Sequence, residues 1–388
     1  MKVVADGNIP LVSRAFAALG EVEERPGRDI DRQSVESAQI LLVRSVTRVD
    51  RELVEGTKLK FVASATTGTD HVDEDVLREL CIGFAHAPGS NARSVAEYVL
   101  TALITMVRKH GREPADLTLG IVGAGTIGSR VFDLASKVGF RCLANDPPKQ
   151  RLTGSERYRP LAEVLSESDI VTLHVPLIDE GEDRTRAMVD RRFLEKMKSG
   201  AILINTSRGA VVDESVVLSG KDRIGGLVMD VWGGEPRISV DMVKAADIAT
   251  PHIAGYAREG KVRGTEMICE AASAFFYKEP DLSWRPKGAR EEVIDGAGMK
   301  DPLYELLLRC CPVVEDDRNL RKIVDIAQPD KRAEHFDALR ANYGPRHEFA
   351  YYDVVPGASW PAETISLLRS IGFFGRDVAG KAGKGEDA

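Results

Sequence analysis

At 388 residues the chain exceeds one average domain, and two or three are expected. A net charge of −7 excludes a general nucleic-acid-binding surface, so an anionic ligand would need its own local cluster of Arg or Lys. No apolar run approaches the roughly 18–20 residues of a membrane span, and Met1–Asp6 reads as a first strand rather than a secretory signal, so no membrane association and a cytoplasmic location are expected.

In chain order, the first ninety residues alternate strand-like and helix-like segments. Lys2–Ala5, Ile40–Val43, Phe61–Ala65 and Ile82–Ala85 are expected strands, with a helix at Ser13–Leu19. This alternation predicts an α/β layer with a parallel sheet. Ser94–Arg108 has apolar residues at helical spacing and is long enough to bridge two domains. A second alternating series follows. Its strands are Leu119–Gly123, Arg141–Ala144, Asp169–His174, Ala201–Asn205, Gly226–Val231 and Asp247–Ala249, and its helices are Ser129–Val138, Leu161–Ser166 and Arg191–Met197. A helix over Val262–Phe276 returns towards the first domain, and the polar stretch Lys278–Arg290 reads as a linker. The last hundred residues suggest helices from Pro302, over Lys331–Tyr343 and over Trp360–Ile371, a strand over Glu348–Val355, and a frayed Gly/Lys-rich end.

The five cysteines, Cys81, Cys142, Cys269, Cys310 and Cys311, form no Cys-x-x-Cys pair and are expected as free thiols. No His, Cys and carboxylate cluster has metal-ligand spacing, so no metal is expected.

Gly123-Ala-Gly125-Thr-Ile-Gly128 sits between a strand and a helix, with Asp146 ending the next strand. That context turns a weak motif into a dinucleotide site. Gly123 permits the tight turn, Gly125 lets backbone approach a pyrophosphate, and Gly128 lets the helix pack close. Thr126 and Ile127 open the helix, whose positive end faces the phosphates. A carboxylate at Asp146 suits a ribose hydroxyl and repels a 2′-phosphate, which favours NAD over NADP.

Three strand ends carry the chemistry: Arg208 in Ile204-Asn-Thr-Ser-Arg-Gly-Ala210, Glu235 in Met229-Asp-Val-Trp-Gly-Gly-Glu-Pro236, and His252 in Thr250-Pro-His-Ile-Ala-Gly-Tyr256. Each alone is ordinarily structural. At the carboxyl ends of consecutive parallel strands they converge on one crevice. Oxidising a secondary alcohol requires a group to take the hydroxyl proton, and His has a pKa near neutrality. Glu235 is suited to hold the imidazole, and Arg208 offers a planar fork for a carboxylate. Asp230 ends its strand where it can accept from a nicotinamide carboxamide. His71, His86, His110, His335 and His347 read as structural or solvated, while His174 lies beside the cofactor crevice. Arg44, Arg93 and Arg258 are candidates for the positive field a phosphorylated ligand needs.

With these residues in place, the chain resembles the D-isomer-specific 2-hydroxyacid dehydrogenases over about residues 1–275. The shared pattern is the glycine turn with Arg in Asn-x-x-Arg-Gly, Glu before Pro, and Pro-His near the end of the domain. Val43-Arg-Ser-Val-Thr47, Thr66-Thr-Gly-Thr-Asp-His-Val-Asp73, Asp146-Pro-Pro148, Glu259-Gly-Lys261 and Arg263-Gly-Thr265 narrow the resemblance to members acting on a phosphorylated four-carbon acid.

The resemblance implies a Rossmann-type NAD domain over 94–256, a flavodoxin-like substrate domain over 1–93 plus 257–285, and a C-terminal α+β dimerisation domain over 286–388 that makes a homodimer. It implies NAD-dependent oxidation of 4-phospho-D-erythronate on the way to pyridoxal phosphate. Arg208, Glu235 and His252 carry over as catalytic, with His252 the proton carrier. Asp146, Val175, Asp230 and Gly255 carry over as cofactor contacts, and Ser45, Thr66 and Tyr256 as substrate contacts. Val175 stands where Thr is often found, so only its backbone is assigned a contact. Arg93, in Asn91-Ala-Arg-Ser-Val-Ala-Glu97, is shared with phosphoglycerate dehydrogenases. Two alternatives stay open: a dehydrogenase of 3-phosphoglycerate or another D-2-hydroxy acid, and a non-enzymatic NAD-sensing scaffold. The C-terminal hundred residues contribute nothing to the site that is visible in the sequence.

Overall fold

The computed structural model describes residues 1–286 and 292–374. Two parallel sheets carry most of the chain. The first contains β1 (Lys2–Asp6), β2 (Glu21–Arg25), β3 (Ile40–Val43), β4 (Phe61–Ser64) and β5 (Gly83–His86), in the order β2-β1-β3-β4-β5. This is the doubly wound, flavodoxin-like order. Strand β2 is the one in this sheet that the sequence hides, because Glu-Val-Glu-Glu-Arg has no apolar run and pairs only at the sheet edge.

The second sheet contains β6 (Thr118–Val122), β7 (Arg141–Asn145), β8 (Ile170–Leu173), β9 (Ala201–Asn205), β10 (Ile224–Met229) and β11 (Ile248–Ala249). Its order is β11-β10-β9-β8-β6-β7. The order reverses at β6, so the crevice beyond the ends of β6 and β8 is the switch point where an open α/β sheet takes its ligand. The central strands β6, β8 and β9 are buried along their whole length, as parallel strands covered on both faces are.

Helix Ala92–Lys109 is buried on nearly every side, and its apolar residues run all round it. The cause lies in the last part of the chain. Leu306, Leu307, Cys310, Phe349, Tyr352 and Trp360 share one continuous core with this helix and with the second sheet. Helix Arg258–Phe275 packs back onto the first sheet, where Ile268, Cys269 and Ala272 join its core. Residues 278–286 are no free linker, because Trp284 is buried in that same core. Residues 287–290 of the expected linker, and the end expected to fray beyond 374, lie outside the described residues.

The C-terminal region pairs β12 (Glu292–Asp295) with β13 (Tyr352–Val355) in parallel, among helices Pro302–Cys310, Val313–Arg321, Pro329–Ala341 and Ala362–Ile371. The expected strand over Glu348–Val355 is shorter, since Phe349–Tyr351 forms a tight helical turn first. The α/β class with an added α+β region is therefore as the sequence implies.

Candidate active site

The glycine turn follows β6 directly. Gly123 has φ +87°, and a side chain there would meet the His174 carbonyl oxygen at 2.6 Å. A Cβ on Gly128 would lie 2.0 Å from the Gly123 carbonyl oxygen, so only glycine lets helix Thr126–Val138 start this close. At Gly125 the equivalent position meets no atom within 4 Å. The turn is thus closed on its protein side and open on the other, which fits a pyrophosphate laid against the helix start. Asp146 accepts from the Ala124 amide at 3.0 Å and from the Lys149 amide at 3.0 Å. It ties the turn to β7 and caps helix Pro147–Thr153, which the sequence reading leaves as a strand end. Val175 is half-buried and would touch a side chain at Gly123. His174 is half-buried behind the turn between Thr172 and Thr206, and burial pushes its pKa down to about 3, so it is neutral.

Arg208, Glu235 and His252 come together in one cleft between the two sheets, as their positions at strand ends predict. His252 Nδ1 lies 2.8 Å from Glu235 Oε2. A carboxylate only accepts, so Nδ1 carries the hydrogen and Nε2 is left to accept a proton. Burial pushes the Glu235 pKa up, but His252, Arg340 and the Trp232 amide outweigh it and hold the group below the usual carboxylate range. Arg208 donates from Nε to Asp70 at 2.5 Å and from one terminal nitrogen to the Ser207 carbonyl at 2.8 Å.

The backbone at His252 is left-handed, φ +57°, an unfavourable conformation for a residue with a Cβ. Two groups hold it there. Asp230, fully buried, accepts from the amides of Ile253 at 2.8 Å and Ala254 at 3.0 Å and from the Thr250 hydroxyl at 2.7 Å. Arg346, from the C-terminal region, donates to the carbonyls of Ile253 at 3.2 Å and Ala254, and to that of Ser94 at 3.1 Å. The loop carrying the imidazole is clamped by its amides on one side and its carbonyls on the other. The expected nicotinamide contact, Asp230, thus already serves this loop.

Ser45, Thr66, Gly255 and Tyr256 line the same cleft, as does Arg44, whose Nε donates to buried Asp6 at 2.9 Å. Thr66 is fixed by Ser64 at 2.7 Å, and Ser64 in turn by His71 at 2.9 Å. His71, read from the sequence as structural or solvated, lines the cleft as well. Burial pushes its pKa down to about 4.

One expected substrate residue is misplaced. Arg93 is not among the cleft residues; it pairs with Glu97 at 2.8 Å, one helical turn on, and lies against Gly372. Arg258 is exposed and also outside the cleft. Their places are taken by Arg28, Lys261 and Arg340. Lys261 stands in a motif already noted, so it was within reach of the sequence. Arg340 was not, because nothing local in helix Pro329–Ala341 says that it faces a site built by residues far earlier in the chain. The C-terminal region therefore does contribute to the site, against the sequence reading.

The family described as D-isomer specific 2-hydroxyacid dehydrogenase, NAD binding domain, matches residues 91–254. The erythronate-4-phosphate dehydrogenase of Salinibacter ruber is 44% identical over 379 residues, covering 94% of this chain and 96% of that one. The enzyme of the same name from Salmonella arizonae is 40% identical over 380 residues, covering 96% and 98%. Among solved structures, D-lactate dehydrogenase of Aquifex aeolicus complexed with NAD and lactic acid has a TM-score of 0.60 at 26% identity, covering 74% of this chain and 97% of its own. The 3-phosphoglycerate dehydrogenase of Entamoeba histolytica with NAD+ bound has a TM-score of 0.61 at 23% identity, covering 74% and 99%, and shows the shared fold.

The chain belongs to the D-isomer-specific 2-hydroxyacid dehydrogenases and is an NAD-dependent dehydrogenase. Within that family, the relatives it matches nearly end to end are erythronate-4-phosphate dehydrogenases.

Proposed function

We propose that this chain oxidises 4-phospho-D-erythronate at C2 to (R)-3-hydroxy-2-oxo-4-phosphooxybutanoate, in the synthesis of pyridoxal phosphate. The observation that carries the reading is the His252–Glu235 pair at 2.8 Å facing Arg208 across a cleft that also holds Tyr256. The names of the near full-length relatives support the choice of acid.

NAD, when bound along the glycine turn, supplies the acceptor for the hydride from C2. Its holding residues are the turn from Gly123 to Gly128, Asp146, the backbone at Val175, and the loop at Gly255. His252 Nε2 takes the C2 hydroxyl proton. Glu235 keeps the imidazole in the right tautomer and stabilises its protonated form. Arg208 grips the C1 carboxylate and C2 oxygen with its terminal nitrogens, while Asp70 holds Nε and so fixes the plane of the fork. Ser45, Thr66 and Tyr256 contact the rest of the acid.

The C-terminal region is read as the homodimer contact as well as a wall of the site. Val293 and Val355 lie exposed on the same face of the small β12–β13 sheet, which among the described residues pairs with no other strand. Two strands alone are marginal, and a second copy would extend and cover them. The protein is read as cytoplasmic.

Comparing kcat/KM for 4-phospho-D-erythronate, 3-phospho-D-glycerate and D-lactate tests the reading. The first should be used best. Preference for 3-phosphoglycerate would replace the substrate, and NAD binding with no turnover of any acid would favour the scaffold.

A further inference from the structure

The cleft is lined by five cations, Arg28, Arg44, Arg208, Lys261 and Arg340. Three have carboxylate partners. Arg28 pairs with Asp337 at 2.8 Å, Arg44 with Asp6 at 2.9 Å, and Arg208 with Asp70 at 2.5 Å. Among the described residues, Lys261 and Arg340 form no ion pair. Both gather on one side chain instead. The Lys261 ammonium lies 4.0 Å from the centre of the Tyr256 ring, and the Arg340 guanidinium carbon 5.8 Å from it. Among the described residues, the Arg340 Nε is buried and has no acceptor.

An orphaned buried donor on a charged group is costly unless a ligand meets it. Lys261 reports the same imbalance. Burial first, then Arg44, Arg346 and Arg340, lower its pKa to about 8. Two unpaired cations in a shared recess call for a dianion. An ammonium and a guanidinium fork are the donors a phosphate takes, and a tyrosine hydroxyl adds a neutral one. Arg208 forms a second, separate cationic point in the cleft, just past the end of β9. A ligand with a carboxylate at one end and a phosphate at the other satisfies both.

We propose that Lys261 and Arg340, arranged around Tyr256, form the subsite for the substrate's phosphate, so that the C-terminal region supplies a specificity residue and completes the active site. This rests on the dehydrogenase reading above and names the residues that make it selective for a phosphorylated acid.

The test compares Lys261→Gln, Arg340→Gln and Lys261→Arg with wild type. The readout is the ratio of kcat/KM for 4-phospho-D-erythronate to that for unphosphorylated D-erythronate. Each Gln variant should lower that ratio by about 30-fold, the loss expected for one charged contact to a bound anion. Lys261→Arg should restore most of it. Inorganic phosphate should compete with substrate in wild type and weakly in Lys261→Gln. In wild type, kcat/KM for the phosphorylated acid should fall as pH rises through about 8, where free Lys261 loses its proton. That limb should move to higher pH in Lys261→Arg.

NAD titration and thermal melting establish that each variant is folded, and Lys261→Gln decides the case if Arg340→Gln is not. An unchanged ratio in Lys261→Gln, or equal losses on both acids, overturns the subsite. If wild type prefers another phosphorylated acid, the substrate proposed above is wrong, and the ratio is read with that acid and its dephosphorylated form. If wild type uses phosphorylated and unphosphorylated acids alike, the subsite is wrong while the dehydrogenase reading stands.

Discussion

Replacing Arg346 by Met removes the guanidinium that holds the carbonyls of Ile253 and Ala254, and keeps much of the apolar stem. Each charged hydrogen bond to a buried carbonyl contributes about 1.5–3 kcal/mol, so the two loop contacts together contribute about 3–6 kcal/mol. Water and loop relaxation recover part of this. If about half is lost, at about 1.4 kcal/mol per factor of ten, the population holding His252 in its left-handed conformation falls by roughly 10- to 100-fold. The expected result is a kcat lowered by that factor. NAD affinity should fall less than kcat, because of the residues read as holding NAD only the loop at Gly255 adjoins the carbonyls that Arg346 binds. Arg346→Lys should fall between the two, since an ammonium lacks the fork that reaches both carbonyls. The assay is steady-state kinetics beside NAD titration and thermal melting. A lowered melting midpoint with near-normal kcat would show that Arg346 supports only the fold, and would refute the argument that it positions His252.

Other expectations follow from the same geometry. His252→Asn should lower kcat by about 100- to 10,000-fold, the range for losing a positioned general base, with the NAD dissociation constant nearly unchanged; near-normal turnover removes His252 from the proton path. Arg208→Lys keeps the charge and loses the fork, so kcat/KM should fall by at least about tenfold; an unchanged value means that Arg208 does not grip the acid. Glu97 is raised to about 8 by burial, against which Arg93 and the Phe349 amide work. Its folded pKa exceeds the ordinary value of 4.5, so its contribution is fully present below 4.5 and is lost as pH rises through about 8. Glu97→Gln should therefore flatten the fall in melting midpoint across that window; an identical slope in both proteins refutes the buried neutral acid.

What the sequence reveals and what it hides divide along a physical line. The glycine turn, the strand ends carrying Arg208, Glu235 and His252, and the central strands are local patterns, and the fold realises them where they are expected. Strand β2 is hidden because it carries a single apolar residue, Val22, on the core side and no apolar run. Arg93 is misread as a ligand residue although Glu97 stands four positions on, the spacing of a helical ion pair. The chemistry of the C-terminal region is hidden for a different reason. Arg340 and Arg346 act on Tyr256, Ile253 and Ala254 across more than eighty residues; Arg340 lies on a polar helix that gives no sign of which arginine it turns inward, and Arg346 lies in the segment after it. The stretch Ser94–Arg108, read as a helix long enough to bridge two domains, carried the missing clue, since the apolar residues all round helix Ala92–Lys109 require a second covering layer.

The central claim is that this one cleft removes hydrogen from C2 of a phosphorylated four-carbon D-hydroxy acid. Single-turnover mixing of the NAD-loaded protein with 4-phospho-D-erythronate, protiated or deuterated at C2, tests it most directly. The account predicts NADH formation that is slower with the deuterated acid and lost in His252→Asn. No NADH from this acid, or a burst that persists in His252→Asn, would contradict it.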